Sequence, residues 1–358
     1  MLDSECREAS SHVNRSAIDA GRALEFMSKR FYLSVLRFEC TITRCVGKCD
    51  GEDSPFFLGP TLRGAFGYAL KERLCDHQNP VWREEQKECP PDCDCAYKTI
   101  FLSPAPPDLP PPYHGRTFKP HPFTLRAPWL SVVRKGMKFS FEVAVLGDAH
   151  RAIAGFIDGF VLVGIRGLLT HKWAFNFVVD IVRQLKPDGN ALDVWQVGKG
   201  FTEASGSYHF LAEFIDEKAV GIFNKGVEIR LNSPLDMVID RKTIRRLDQL
   251  EETSLAGRLA SSLEELGIFW CGLPTLGGKP SLKNSSNLPV EKMGEWTYQK
   301  TRLSVQEGNT MPMSGLMGTL RIHRPRPETV RLLAALLHIG IGQNRSFGFG
   351  RYDLSPII

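Results

Sequence analysis

The stretch GIGQNRSFGFGRY, residues 340–352, gathers residue types suited to holding an anion. Glycine tolerates positive φ and close backbone approach. Gly340, Gly342, Gly348 and Gly350 would therefore let several N–H groups converge on one concavity that favours negative charge. Arg345 and Arg351 add fork-shaped donors for phosphate, with Asn344 and Ser346 beside them. Phe347 or Phe349 adds a stacking face for a base. Two nucleotide fingerprints fail here. A dinucleotide loop needs G-x-G-x-x-G between a strand and a helix, but position 345 is arginine and the loop follows a helix. A P-loop needs a lysine, and the stretch has none. Two readings survive: a phosphate-binding loop for a polyanion, or a tight turn that places Phe347 and Phe349 in the core.

Proton transfer calls for an imidazole, whose ordinary pKa lies near neutrality, and the chain has nine histidines. His12 falls in a polar N-terminal extension, His114 and His121 in a proline-rich stretch. His338 ends an amphipathic helix, where a structural role suits it. His77 stands just beyond a helix that carries Arg63, Tyr68 and Lys71. On that helix Tyr68 would donate to a phosphate oxygen, and Arg63 or Lys71 would stabilise charge. The alternative for His77 is a solvated loop histidine; His150 and His171 are held in reserve. Cys75, Cys89, Cys93 and Cys95 are spaced C-x13-C-x3-C-x-C. Four thiolates there would make a closed, structural zinc site, and reduced, unliganded thiols are the alternative. No open catalytic metal position is indicated.

The elements that must position these groups follow from periodicity. Leu36, Phe38, Cys40 and Ile42 alternate with polar residues as a half-buried strand. GPTLRGAFGYALKERLC reads as a helix with Pro60 in its first turn, and its Gly64 and Gly67 predict close packing. Strands follow near 117–125 and over MKFSFEVAV; Asp148 is a candidate cap for the helix carrying Ile153, Phe156, Ile157 and Phe160. WAFNFVVDIV closes the first half. The second half predicts a strand over 227–231, a helix over 241–266, strands near 295–305 and 313–322, a helix from Pro327 and a terminal strand. Strand, helix, two strands, helix, strand is the split βαβ or ferredoxin-like order, and it occurs twice. In each half a glycine segment, Gly164–Gly167 or Gly340–Gly350, fills the slot before the last strand.

The chain has 358 residues, 42% of them hydrophobic and 24% charged, which suits two domains. Its net charge of +5 permits a polyanionic partner, and basic side chains outnumber acidic ones after Lys300. No apolar run approaches the roughly 20 residues that span a bilayer. Nine dispersed cysteines and a polar N-terminus fit a cytoplasmic compartment.

GIGQNRSFGFGRY, MPMSGLMGTLRI, FFLGPTLRGAFGYAL, AVLGDAHRAIAGFIDGFVLVGIRG and VEIRLNSPLDMV together resemble the CRISPR-associated RAMP endoribonucleases that process precursor CRISPR RNA. The matching pieces run from about residue 31 to the end. The resemblance implies an α+β fold of two tandem ferredoxin-like (βαββαβ, RRM-like) domains of the RAMP type. The expected layout is an extension over 1–29 and a first domain over 30–185 with a Cys-rich insertion at 75–112. A linker or hairpin over 186–225 and a second domain over 226–358 complete it. It further implies metal-independent cleavage of repeat RNA by 2′-hydroxyl attack, leaving a 2′,3′-cyclic phosphate and a 5′-hydroxyl, with no catalytic cofactor. His77 lies where the family commonly carries its catalytic histidine, and relatives carry a comparable cysteine cluster. Arg166, Arg345 and Arg351 would hold RNA phosphates. The implied partners are repeat RNA or crRNA and effector-complex proteins; a homodimer is left open, and no membrane is implied. The rival from another class is a RAMP subunit that binds crRNA as a scaffold and cuts nothing. A weaker third reading is an RNA-binding protein outside CRISPR systems.

Overall fold

The computed structural model describes residues 18–47, 55–74, 95–107, 109, 113–170, 173–202, 207–239, 241–275, 280–281, 290–303 and 310–357. Helix α1 (Ala20–Ser28) precedes the long strand β1 (Tyr32–Gly47). The alternation read from the sequence is present: Leu36, Phe38, Cys40 and Ile42 are buried. Next come α2 (Gly59–Leu74), β2 (Phe123–Arg126), β3 (Lys138–Leu146), α3 (Ile153–Arg166) and β4 (Trp173–Leu185). The strands lie in the order β4-β1-β3-β2, each pair antiparallel. On one face α2 and α3 cover the sheet, and the ring of Phe66 stacks on Phe160 at 4.2 Å and on Phe156 at 5.5 Å. Each such fully buried ring contributes about 2–3 kcal/mol through area removed from water. Gly67 sits directly under the ring of Phe101, the close packing that its place in a helix predicts, whereas Gly64 faces open space.

The second half repeats the succession. It comprises β6 (Gly226–Leu231), a small hairpin of β7 (Val238–Ile239) and β8 (Lys242–Thr243), and α4 (Glu252–Cys271). Then follow β9 (Val290–Leu303), β10 (Thr310–His323), α5 (Pro327–Ala335) and β11 (Tyr352–Pro356). Its sheet order is β9-β10-β6-β11. The fold is thus mixed α and β with antiparallel sheets, compatible with ferredoxin-like domains. Two expectations shift. The helix expected from residue 241 begins at Glu252, because 241–250 forms the hairpin and a 3-10 turn. Within 186–225, β5 (Ala191–Gln196) extends the first sheet beside β4, and His209–Phe210 pairs with the start of β1.

The halves meet along a continuous apolar seam. Leu33, Val35, Ala144 and Leu146 of the first sheet share a core with Leu255, Leu259, Leu263 and Leu266 of α4. Leu24 and Met27 of α1 join it, so part of the N-terminal extension is built into the fold. Gly147 marks the tightest crossing. Its φ is +53°, and a Cβ there would overlap the carbonyl oxygen of Trp270. No helix among the described residues is long and apolar enough to cross a membrane.

Candidate active site

The glycine-rich loop turns inward. Phe349 is fully buried and Phe347 is 8% exposed, so the tight-turn reading describes this segment. The N–H groups of Gly340, Ile341, Gln343, Phe347, Gly348, Phe349 and Gly350 all donate to backbone carbonyls, and Arg351 N–H donates to Ser233 Oγ. These amides are already used and cannot form the expected anion nest. Arg351, only 2% exposed, donates from Nε to Leu125 O at 2.7 Å and from Nη2 to Thr124 Oγ1 at 2.7 Å. Its Nη1 donates to His338 O. Thr124 and Leu125 belong to the first half and His338 to the second, so the guanidinium bolts the halves together. Burial pulls the Arg351 pKa down to about 9, and that of Arg345, whose Nη1 donates to Ser262 Oγ, to about 10. The expected phosphate contacts of Arg351 and of buried Gly340, Gly342, Ser346, Gly348 and Gly350 are therefore corrected: these residues are internal. Asn344 stays on the exposed crest, its Nδ2 donating to Asp236 Oδ2 at 2.8 Å.

The loop abuts the start of α2, where a Cβ on Gly59 would overlap the Phe347 carbonyl. Arg63 is buried between Phe347 and Phe101, 4.1 and 4.3 Å from the two ring centroids, with Nη2 2.8 Å from His121 Nε2. It is a packed residue rather than an open phosphate ligand. Tyr68 is exposed on α2, and Arg166 pairs with Glu72 near that helix's other end. Gly59 and Glu72 stand thirteen positions apart on the helix, about 20 Å, so the two glycine segments do not shape one cleft. Lys71 is half-buried beside Glu72. His77, Cys75, Cys89 and Cys93 lie outside the described residues, as does His171. Cys95 lies within them, and its Sγ accepts from the Lys98 N–H at 3.4 Å.

A different place is open and chemically equipped. A cleft of about 880 Å³ lies at the seam, lined by Phe26, Lys29, Arg30 and Tyr32, by Asp148, His150 and Arg151, and by Tyr208, Phe210 and Cys271–Pro274. The sequence brings these groups together by topology. Tyr32 begins β1, residues 148–151 form the 3-10 turn before α3, and Tyr208–Phe210 pairs back onto β1. Gly272, at φ +62°, ends α4 on the far wall. His150 meets Tyr208 edge-on at 5.0 Å and Tyr32 at 5.7 Å. Its Nδ1 lies 3.1 Å from Gly147 O. A carbonyl only accepts, so Nδ1 carries the proton and Nε2 keeps the basic lone pair.

Tyr32 donates its hydroxyl to Asp148 Oδ1 at 2.8 Å; burial and then that bond push its pKa up, so it acts as a wall and not as an acid. Asp148 is thereby engaged as an acceptor, and its carboxylate also pairs with Arg151 at 3.5 Å rather than capping α3. Arg151 and Arg30 stay exposed, Arg30 packing over Phe26 at 4.1 Å. Tyr208 and Phe210 are 44% and 39% exposed, aromatic surface left open beside their ring contacts with Tyr32 and His150. Sequence reasoning held His150 in reserve and missed its neighbours. The signal was the interleaving of basic and aromatic residues in Lys29-Arg30-Phe31-Tyr32 and Tyr208-His209-Phe210.

Residues 36–206, a little under half of the chain, match the family model AF_1859_N, described as an N-terminal domain. No curated protein matches. Among solved structures, the chain is similar to a partial Cas6-RT-Cas1–Cas2 complex, with 12% identity and a TM-score of 0.49. The match covers 92% of this chain and 46% of that one, so this chain spans under half of its length. It is similar to Thermus thermophilus Cas6 with 12% identity and a TM-score of 0.41, over 91% of this chain and 99% of that one. A Cas6-related protein from Pyrococcus furiosus matches with 10% identity and a TM-score of 0.39, over 90% and 98%. These neighbours are Cas6 proteins, Cas6-containing complexes or a Cas6-related protein. Their TM-scores lie below 0.5, and the functional reading rests on this chain's own residues.

Proposed function

We propose that the chain is a CRISPR-associated RAMP-type endoribonuclease, built as two tandem ferredoxin-like units, that binds CRISPR repeat RNA and cuts it without a metal ion. The observation that carries this reading is the open cleft in which His150 packs in a triangle with Tyr32 and Tyr208, with Arg30 and Arg151 exposed beside it. In this mechanism His150 Nε2 takes the proton of a 2′-hydroxyl, and the freed oxygen attacks the adjacent phosphorus. The bond to the 5′ oxygen breaks, and that oxygen takes a proton at the rim, where Lys29 offers an ammonium. Arg30 and Arg151 stabilise the charge on the phosphorane, and Tyr208 and Phe210 stack the flanking bases. The products are a 2′,3′-cyclic phosphate and a 5′-hydroxyl, and DNA, lacking the nucleophile, is not cut. A structural zinc on Cys75, Cys89, Cys93 and Cys95, and effector-complex proteins as partners, belong to the same proposal.

The test is incubation of the purified chain with its cognate repeat RNA in EDTA. Cleavage is expected to persist, and His150→Ala is expected to slow it between a hundredfold and ten-thousandfold, about the worth of one general base. If His77→Ala abolishes cleavage and His150→Ala does not, the base is His77 and the cleft assignment is wrong. RNA that is bound but intact under every condition favours the scaffold subunit.

A further inference from the structure

We propose that the β7–β8 hairpin is a second RNA contact, a phosphate-holding track remote from the cleft; the proposal rests on the reading of the chain as an RNA-processing enzyme. Within six residues the hairpin and its exit carry Arg241, Lys242, Arg245 and Arg246, all exposed. Among the described residues, Arg246 alone of these pairs with an acid, Asp248, and that carboxylate is shared with Lys292 at 3.1 Å. Like charges so close repel one another, and their cheapest neutralisation is a polyanion laid across them.

The hairpin is fixed in place. Asp236, at its root, accepts the Gln343 N–H at 2.6 Å and the Asn344 side-chain amide at 2.8 Å. Through Asp236, Arg245 lies near the exposed crest of the glycine loop. Burial raises the Asp236 pKa, and the Asn344 bond and nearby Arg245 draw it back. No aromatic residue stands among 238–246, so the track offers charge without a stacking face. Such a surface holds backbone phosphates and leaves base reading elsewhere. An apolar anchor for a membrane surface is equally missing: Val238, Ile239 and Ile244 are partly buried. A 3-10 turn leads from the hairpin into α4, whose far end walls the cleft. The twenty residues of that helix span about 30 Å. One RNA can therefore be gripped at the track while another part of it sits beside His150.

The experiment compares the full chain with the triple variant Arg241→Ala, Lys242→Ala, Arg245→Ala. The probe is a fluorescent synthetic RNA of the repeat sequence, and binding is measured from about 50 to 300 mM salt. Three lost phosphate contacts are expected to flatten the slope of log K against log salt by about 2, and to weaken binding roughly tenfold at low salt. Lysine at the two arginine positions is expected to restore the slope, since a point charge suffices for a phosphate. Lys199→Ala, an exposed cation of the first half, leaves it unchanged. A triple variant with the parental slope overturns the track, even where the parent binds and cuts. A parent that binds no RNA overturns the track and the enzyme reading together, so the two failures are distinguishable.

Discussion

The terminal glycine loop and the seam cleft contain the same kinds of side chain and use them in opposite ways. Arg351 is 2% exposed, and its three donor groups are occupied by protein oxygens; the side chain of Arg151 is 79% exposed and shares one weak ion pair. Phe347 and Phe349 are core residues, whereas Tyr208 and Phe210 are 44% and 39% exposed. Residue type alone thus says little about whether a guanidinium holds the protein or a ligand. What decides it is whether the surrounding backbone has already supplied acceptors.

The sharpest way to break the contrast is at Arg351. Arg351→Ala should cost about 3 kcal/mol of stability, since it strands the buried Leu125 O and leaves His338 O and Thr124 Oγ1 only the 3.5 Å bond between them. Urea unfolding measures this, and a loss under 1 kcal/mol would mean the guanidinium does not join the halves. Next in size is Tyr208→Ala, expected to weaken repeat-RNA binding by about 1.5 kcal/mol, roughly tenfold, with an unchanged urea midpoint. An effect on stability and none on binding would reverse the roles assigned to loop and cleft.

The smallest effect is in acid. Burial lowers the His338 pKa from 6.5 to about 4, so the folded state favours its neutral ring. That contribution is fully present above pH 6.5 and is lost as pH falls toward 4. His338→Gln should therefore flatten the decline of the urea midpoint across that window. Since other carboxylates titrate there too, the informative quantity is the difference between variant and parent.

Much of the fold was legible because burial imposes periods. Phe139, Phe141, Val143 and Val145 alternate, and each proves buried. The start of α4 was misread because Arg241 adopts φ +65° without being glycine, which no breaker residue announces. The glycine loop was half legible. Positive φ follows at Gly340, Gly342, Gly348 and Gly350, but glycine spacing does not tell which way an amide points. The alternation Phe-Gly-Phe-Gly was the better clue, since two large rings must be buried somewhere. The cleft was least legible. Tyr32, His150 and Tyr208 stand more than fifty residues apart in sequence, and only strand pairing brings their rings within 6 Å.

The Arg351 bolt also bears on how a substrate is admitted. Hinging the halves apart would tear two bonds, those to Thr124 Oγ1 and Leu125 O, from a buried charge. The seam therefore resists opening, and on the proposed function the accommodation would fall to the polynucleotide, which would unstack and bend to reach the imidazole.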